Sequence, residues 1–143
     1  MSVPDLSPAE YRALAEFRYQ IRRFLQFSAE AAREHRLEPQ QHQLLLAMKG
    51  LPDDARPTIR ELAERLQIQH HSAVELVDRL AEHGAIRREH TGADRREVLL
   101  RFTRHGSALL RRLSLAHHNE LETTGPVLVK ALTAAIRGGK RAA

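Results

Sequence analysis

The sequence predicts a mainly α-helical protein with one small β-hairpin. Apolar residues recur at intervals of three and four over most of the 143 residues, a spacing that places them on one face of a helix. Residues 85–103 instead have strand-like runs on either side of the turn sequence "GADR". The chain has no cysteine, which excludes disulfides and thiolate metal sites. At this length we expect one domain, or one domain with a helical extension, and enough chain to bury a core.

Two helices are predicted in the first 50 residues. The first begins after Ser7, because serine is a good N-cap and Pro8 suits the first helical position. Its apolar stripe continues to about Glu34 and includes most of the aromatic residues of the chain. The stretch Leu37–Pro39 predicts a break, since a residue that precedes proline disfavours helix. The segment "QQHQLLLAMKG" predicts a second helix that ends at Gly50.

The next two helices are joined by a short connection. Thr58 and Glu61 predict a capping box at the start of "TIRELAERL". The residues "QIQH" join this helix to "HSAVELVDRLAEHG", which Gly84 terminates. The buried face of the later helix is predicted to be Ala73, Val74, Val77 and Leu80. A short helix, a tight turn and a longer helix are typical of a helix-turn-helix unit, whose second helix is the recognition helix.

The hairpin that follows contains a concentration of positive charge. Residues 87–112 hold 8 Lys+Arg against 3 Asp+Glu, whereas residues 1–86 hold 11 against 13. In the second strand Val98, Leu100 and Phe102 are predicted to share one face. A localised basic patch suggests a polyanionic partner, and a solvated basic face is the alternative. A hairpin directly after a helix-turn-helix is a wing, which reaches the DNA minor groove beside the recognition helix.

Two more helices are predicted after the hairpin. Thr103 caps a fifth helix, "RHGSALLRRLSLAHHNELE", and Gly125–Pro126 separates it from a sixth, "VLVKALTAAI". Residues 138–143 are expected to be a disordered tail. The long terminal helices carry apolar stripes that need a partner surface. The expected architecture is a winged helix-turn-helix with N- and C-terminal dimerisation helices.

In order and spacing, these segments resemble the MarR family (multiple antibiotic resistance type) of bacterial transcription regulators. The matching pieces are "ELAERL", "LVDRLAEHGAIRR", Asp94–Arg96 and "TRHG", the last standing for the family's L-T-x-x-G. The resemblance covers roughly residues 8–137. Phe102 stands where the family usually has Leu, and Gln69 where Ser or Asp commonly caps the recognition helix.

The resemblance implies a homodimeric transcription regulator of the bacterial cytoplasm, a repressor that a small ligand releases from DNA. Residues 8–36 and 104–137 would be the helical dimerisation region, and residues 37–103 the DNA-binding domain. The first, fifth and sixth helices of two chains would form an obligate dimer. Its recognition helices would lie about 34 Å apart and bind a pseudo-palindromic operator in double-stranded DNA.

Polar residues near the start of the recognition helix are the candidate base contacts. They are Gln69, His70, His71, Ser72, Glu75 and Arg79. Amide, imidazole and hydroxyl groups bond base edges, and glutamate accepts from the cytosine amino group. As alternatives, the serine and the second histidine bond phosphates, both histidines only cap the turn, or Arg79 pairs with Glu75 across one helical turn.

Five hairpin residues are the other candidate DNA contacts. Arg96 is the first choice for the minor groove, followed by Arg95, because a narrow groove attracts arginine. Asp94 would hold the Arg96 side chain extended by ion pairing. Arg87 and Arg88 would contact phosphates. A hairpin that is merely solvated is the alternative.

The resemblance also implies a cleft for a small phenolic or other lipophilic acid. Candidates by position are Phe17, Arg18, Tyr19, Arg22, Phe24, Phe27, His42 and Met48. The alternative is that these rings belong to the ordinary core or the dimer interface. His35 and His42 could approach each other, but without a third ligand we expect no metal and no cofactor, and the histidines would be surface residues.

Other classes of protein are less well supported. No apolar run approaches the roughly 18 residues of a membrane helix, and the N-terminus does not resemble a signal peptide. No nucleophile–base arrangement suggests an enzyme. The competing hypothesis is a winged-helix adaptor for protein–protein contact that does not bind DNA. Salt dependence separates the two, since DNA binding weakens steeply as salt rises.

Overall fold

The computed structural model describes residues 4–91 and 97–138. Its elements are α1 (Pro8–Glu34), α2 (Pro39–Lys49), α3 (Ile59–Leu66), α4 (His70–Glu82), β1 (Ile86–His90), β2 (Val98–Phe102) and α5 (Arg104–Arg137). The predicted fold class, helical with one hairpin wing, is confirmed. The chain divides into two compact units, Ala31–Ser114 and a second unit formed by Met1–Glu30 with Leu115–Ala143.

The predicted start and end of α1 are confirmed. The Glu10 amide donates to Ser7 Oγ at 3.1 Å, and the Ser7 amide donates to Glu10 Oε1 at 3.1 Å. This reciprocal capping box satisfies two amides that a helix start would leave unpaired. The helix ends where Arg36 adopts a left-handed backbone with φ of 63°. The Leu37 amide then donates to the Ala32 carbonyl, which closes the last turn.

The hydrophobic core of the Ala31–Ser114 unit draws on each of its elements. Its largest fully buried apolar side chains are Leu37, Leu44, Leu45, Leu62, Val77, Leu80, Leu100 and Leu113. Helix α2 contributes two adjacent leucines, and it ends at Gly50 as predicted. The core therefore lies beneath the helix-turn-helix and the hairpin and holds them in one unit.

The helix-turn-helix forms from α3 and α4, with small differences from the prediction. Thr58 Oγ1 accepts the Glu61 amide at 3.1 Å, as a cap should. The Glu61 carboxylate does not return the bond but pairs with Arg65 at 3.2 Å, so only half of the predicted capping box forms. His70 is already helical, so the connection is residues 67–69 rather than "QIQH". Gln67 turns the chain with φ of 56°.

The buried face of α4 differs from the prediction by one residue. Ala73, Leu76, Val77 and Leu80 are buried, whereas Val74 is only half-buried. Leu76 lies three residues after Ala73 and four before Leu80, so it occupies the middle of the stripe. The apolar residue Val74 lies at the edge of that stripe, where neighbouring elements leave it partly open.

The hairpin pairs β1 and β2 antiparallel, with Arg88 opposite Leu100. Val98, Leu100 and Phe102 alternate along β2 and share one face, as predicted. Leu99 is buried as well, although it points to the opposite face. The outer edge of β2 is paired too, because the Leu100 amide donates to the Pro57 carbonyl at 2.8 Å. The loop before α3 thus anchors the hairpin.

The predicted break between a fifth and a sixth helix is wrong. Helix α5 runs without interruption through Gly125 and Pro126. Proline removes the amide that would donate to the carbonyl four residues earlier, and its ring crowds that turn. This loss is local, and the 34 residues of α5 supply helical bonds on both sides of it. Thr124 Oγ1 adds a bond to the Glu120 carbonyl nearby.

Candidate nucleic-acid interface

The first turns of α4 present a polar, accessible surface. Gln69, His70, His71, Glu75 and Arg79 are exposed, and Ser72 is half-buried. Gln69 is the N-cap residue, and its side chain makes no capping bond. Because the opposite face of α4 is embedded in the core, these polar groups are held on a rigid element.

The end of α4 sets the position of the hairpin. Gly84 has φ of 80°, and the Ala85 amide donates to the Leu80 carbonyl at 3.0 Å. This closure pattern of a helix favours glycine, because a Cβ is strained in the left-handed region. The chain therefore turns directly from α4 into β1.

A tight joint fastens the start of α5 to this turn. Thr103 Oγ1 donates to the Gly84 carbonyl at 2.5 Å and accepts the Gly106 amide at 3.0 Å. A Cβ on Gly106 would lie 1.9 Å from the Ala85 carbonyl oxygen, so no larger residue fits. The "TRHG" sequence thus caps α5 and also joins the start of α5 to the end of α4, through the Thr103–Gly84 bond and the close packing of Gly106 on Ala85.

One ion pair joins the hairpin to α4, and two others lie within the hairpin. Arg88, on the core-facing side of β1, pairs with Asp78 of α4. On the outer side, Arg87 lies directly opposite Arg101, and Glu89 contacts both, at 3.8 Å and 2.8 Å respectively. Like charges directly opposite each other disfavour strand pairing, so Glu89 offsets a cost that the two arginines impose.

Two of the predicted hairpin contacts lie in the described structure, and three do not. Arg87 and Arg88 project from β1 in the ion pairs given above. Asp94, Arg95 and Arg96 lie outside the described residues. Within the described ranges, no ion pair joins Glu75 to Arg79, although the two are one helical turn apart. Both side chains are exposed.

Two grooves flank the N-terminal half of α4. One, of about 730 Å³, is lined by the loop before α3, the start of α3, His70 and the base of the hairpin. The other, of about 420 Å³, lies between the start of α2 and α4, where Ser72, Glu75 and Arg79 line it. Some of the predicted recognition residues of α4 therefore line these two grooves, and the others lie on the helix surface between them.

Sequence reasoning missed three arginines in the larger groove, Arg56, Arg60 and Arg65. Arg56 Nη1 lies 2.8 Å from Glu97 Oε1, and Arg65 pairs with Glu61. Net charge over a sequence window hides such residues, because nearby carboxylates cancel them in the count. The signal that was available is "RPTIRELAER", in which arginines recur around a predicted helix start.

Residues 37–97 match the sequence model of the MarR family. This segment of the chain is similar to the MarR family. The matched segment includes the helix-turn-helix and the first strand of the hairpin, which are the parts that form the surface described above. No curated protein matches the chain in sequence.

Solved structures of MarR-family proteins share this fold. AbsC of Streptomyces coelicolor, a MarR family transcriptional regulator, is 18% identical, with a TM-score of 0.72 over 85% of this chain and 82% of AbsC. A mutant of MarR from E. coli, complexed with operator DNA, is 21% identical, with a TM-score of 0.60 over 73% and 75% of the two chains. BpsR of Bordetella bronchiseptica, whose DNA binding is regulated by 6-hydroxynicotinic acid, is 20% identical, with a TM-score of 0.63 over 88% and 91%.

The candidate ligand residues fall in both compact units. His42 and Met48 are buried in the Ala31–Ser114 unit. Phe17, Arg18, Arg22 and Phe24 belong to the other unit. There, a cavity of about 500 Å³ is lined by polar and aromatic residues, among them Tyr19, Arg22, Phe24, Phe27 and Glu120.

The prediction that the histidines are surface residues is wrong for two of them. His42 is buried, and His117 is half-buried between Phe24 and Phe27, with its Nε2 2.8 Å from Ser28 Oγ. Within residues 4–91 and 97–138, no group of three His, Asp or Glu side chains is placed to hold a metal ion. No helix in the described ranges is long and apolar enough to cross a membrane.

Proposed function

We propose that this chain is a DNA-binding transcription regulator that lays α4 into the major groove. The observation that carries the proposal is the exposed polar start of α4, held beside a hairpin by the turn at Gly84 and the Thr103–Gly84 bond. The major groove displays distinguishable donors and acceptors to such side chains. A neighbour of the same fold, the E. coli MarR mutant, is bound to operator DNA.

Each candidate residue has a proposed role. Gln69, His70 and His71 contact base edges, Ser72 contacts a base or a phosphate, and Glu75 accepts from a cytosine amino group. In the hairpin, Arg95 and Arg96 enter the minor groove, where narrow width strengthens the negative potential, and Asp94 orients Arg96. Arg79, Arg87 and Arg88 contact phosphates, which position the protein without reading sequence.

We propose that the functional form is a homodimer. Among the described residues, the large apolar side chains left exposed lie, apart from Leu46, in the unit of Met1–Glu30 and Leu115–Ala143. They include Leu25, 57% exposed, on α1 and Val129, 64% exposed, on α5. Exposed apolar side chains concentrated in one unit favour an association site there. A two-fold dimer would present two α4 helices to a pseudo-palindromic operator.

We further propose that the protein is a repressor relieved by a small acid. A ligand can shift a regulator only if it binds its two states with different affinity. A cavity of about 500 Å³ lies in the unit of Met1–Glu30 and Leu115–Ala143. Its lining includes Arg22 and Phe24, which offer cationic and aromatic groups to such a ligand. Phe17, Arg18, His42 and Met48 remain candidates by position. The regulation of BpsR by 6-hydroxynicotinic acid favours the same class of ligand.

Selection from a random duplex pool tests the DNA-binding proposal. We expect enriched half-sites repeated at about one helical turn, roughly 10 base pairs. Replacement of His71 by alanine should weaken binding to the selected duplex by about 10-fold, since a base contact contributes about 1–3 kcal/mol. His118→Ala, which removes an exposed histidine on α5, is the matched control and should leave affinity unchanged.

A protein–protein adaptor is the competing function. An adaptor would enrich no sequence and would not bind duplex even at low salt. A single salt titration therefore distinguishes the two functions. For a regulator, the logarithm of DNA affinity falls linearly with the logarithm of salt concentration. Absence of any duplex binding would exclude the regulator.

A further inference from the structure

The larger groove beside α4 lies between the two elements that the proposed function places in DNA. His70, the first residue of α4, lines it on one side, and Glu97 and Val98, at the base of the hairpin, line it on another. The loop before α3 and the first turns of α3, from Asp54 to Arg65, supply the rest of its lining. The groove has a volume of about 730 Å³ and is open to solvent.

Three arginines line this groove, and they differ in their ion pairing. Arg56 is paired with Glu97 and Arg65 with Glu61. Arg60 is exposed, and in the described part of the chain no ion pair engages it. All three donate through a planar guanidinium, which matches the geometry of a phosphate group.

We propose that this groove holds one sugar–phosphate strand of the DNA, with Arg60 and Arg56 as its phosphate ligands. The inference rests on the proposed function and adds a binding site to it. In a duplex, a sugar–phosphate strand separates each major groove from the adjacent minor groove. If α4 occupies the first and the hairpin the second, that strand must pass between them. The groove adjoins both elements, and its lining includes the three arginines together with the carboxylates Asp54, Glu61 and Glu97.

The ion pairs at the groove do not block this role. The Arg56 side chain is 59% exposed and that of Glu97 is 27% exposed, and an ion pair with so open an arginine contributes little net stability. A phosphate can therefore replace the Glu97 carboxylate as the partner of Arg56. Glu97 then competes with DNA, so removing its charge should strengthen binding rather than weaken it.

The test measures DNA affinity as a function of salt for the full chain and its variants, with the duplex selected from a random pool. Each phosphate contact contributes about 0.9 to the slope of log K against log salt. We expect Arg60→Gln to lower the slope by about this amount and to weaken selected and scrambled duplexes equally. The matched control, Arg12→Gln, removes an exposed arginine of α1 and should leave the slope unchanged.

A second variant tests the competition directly. Glu97→Gln should tighten binding several-fold and raise the slope, because it frees Arg56 for a phosphate. Glu34→Gln, at an exposed site on α1, controls for the change in net charge. Thermal unfolding of each variant verifies that the fold is intact.

The outcomes separate this inference from the proposed function. If the unmodified chain binds duplex with a steep salt slope and Arg60→Gln keeps that slope, the site is excluded and the regulator stands. An effect of Arg60→Gln on sequence preference alone also excludes it, because a phosphate ligand carries no base information. If the unmodified chain binds no duplex, both proposals fail together.

Discussion

At Gly106 the absence of a side chain is a packing requirement and not a matter of backbone freedom. The start of α5 crosses the peptide of Ala85 so closely that a Cβ would lie 1.9 Å from its carbonyl oxygen and 2.7 Å from its carbonyl carbon. Both contacts are with backbone, which cannot rotate away as a side chain can. The joint between α4, β1 and α5 therefore depends on this one residue.

We expect Gly106→Ala to lower the free energy of unfolding by about 1–3 kcal/mol, the usual range for overpacking in a well-packed interior. Denaturant unfolding measures the change. Gly125→Ala is the matched control, because a Cβ there meets no atom within 4 Å apart from its chain neighbours and the backbone of its own helix. Similar stability for both variants would mean that α5 can shift away from Ala85.

At the residue scale, the sequence does not show which arginines have an ion-pair partner in the described structure. Counting residues locates a basic segment, 87–112, but it does not show that Arg88 pairs with Asp78 while Arg60 has no such partner in the described structure. Arg88 and Asp78 are ten residues apart, on a strand and a helix. Their pairing is produced by the tight turn at Gly84, so it follows from tertiary geometry and not from local spacing.

At the scale of elements, the start of α5 is stabilised by a single side chain. Thr103 Oγ1 serves as both donor and acceptor, bonding the Gly84 carbonyl and the Gly106 amide. Capping residues satisfy amides that a helix start leaves without partners. Here the same hydroxyl also ties the helix to the end of α4, so cap and joint are one feature.

Thr103→Val removes this hydroxyl and keeps the side-chain shape. We expect it to lower the free energy of unfolding by about 1–2 kcal/mol, the range for loss of a helix cap. Thr124→Val removes a hydroxyl that bonds only the Glu120 carbonyl within α5, and it should change stability far less. Equal small losses in urea unfolding would contradict the role assigned to Thr103.

The ends of helices proved easier to predict than their continuity. Ser7, Gly50 and Gly84 act through local backbone geometry, so their residue types identify the boundaries correctly. Gly125–Pro126 has the same local signature, yet α5 continues through it. A proline inside a helix imposes a cost of about 3 kcal/mol, and the helical bonds on both sides of the pair outweigh it.

At the scale of the whole molecule, the unit of Met1–Glu30 and Leu115–Ala143 exposes apolar side chains that an isolated chain would have to leave in water. We expect Val129→Glu to weaken the proposed homodimer, because association would bury the added carboxylate in an apolar contact. Sedimentation at micromolar concentration would then show a single chain. Affinity for the selected duplex should fall with it, since two linked α4 helices bind more tightly than one.

Leu46→Glu is the control for that experiment. Leu46 is 45% exposed and lies on α2, in the Ala31–Ser114 unit. The variant adds the same charge at a comparably accessible leucine outside the proposed contact. It should remain a dimer, and dissociation of both variants would point to charge repulsion rather than to a specific interface.

Local chemistry was enough to determine the helical class, the hairpin, most helix ends and the helix-turn-helix of this protein. Capping, turn geometry and apolar periodicity act over a few residues, so the linear chain already contains them. Tertiary packing decided the rest: the burial of Leu76 and His42, the unbroken course of α5, and the ion pairs that Arg56, Arg65 and Arg88 make. These features depend on which residues distant in the chain come together, and spacing along the sequence does not carry that information.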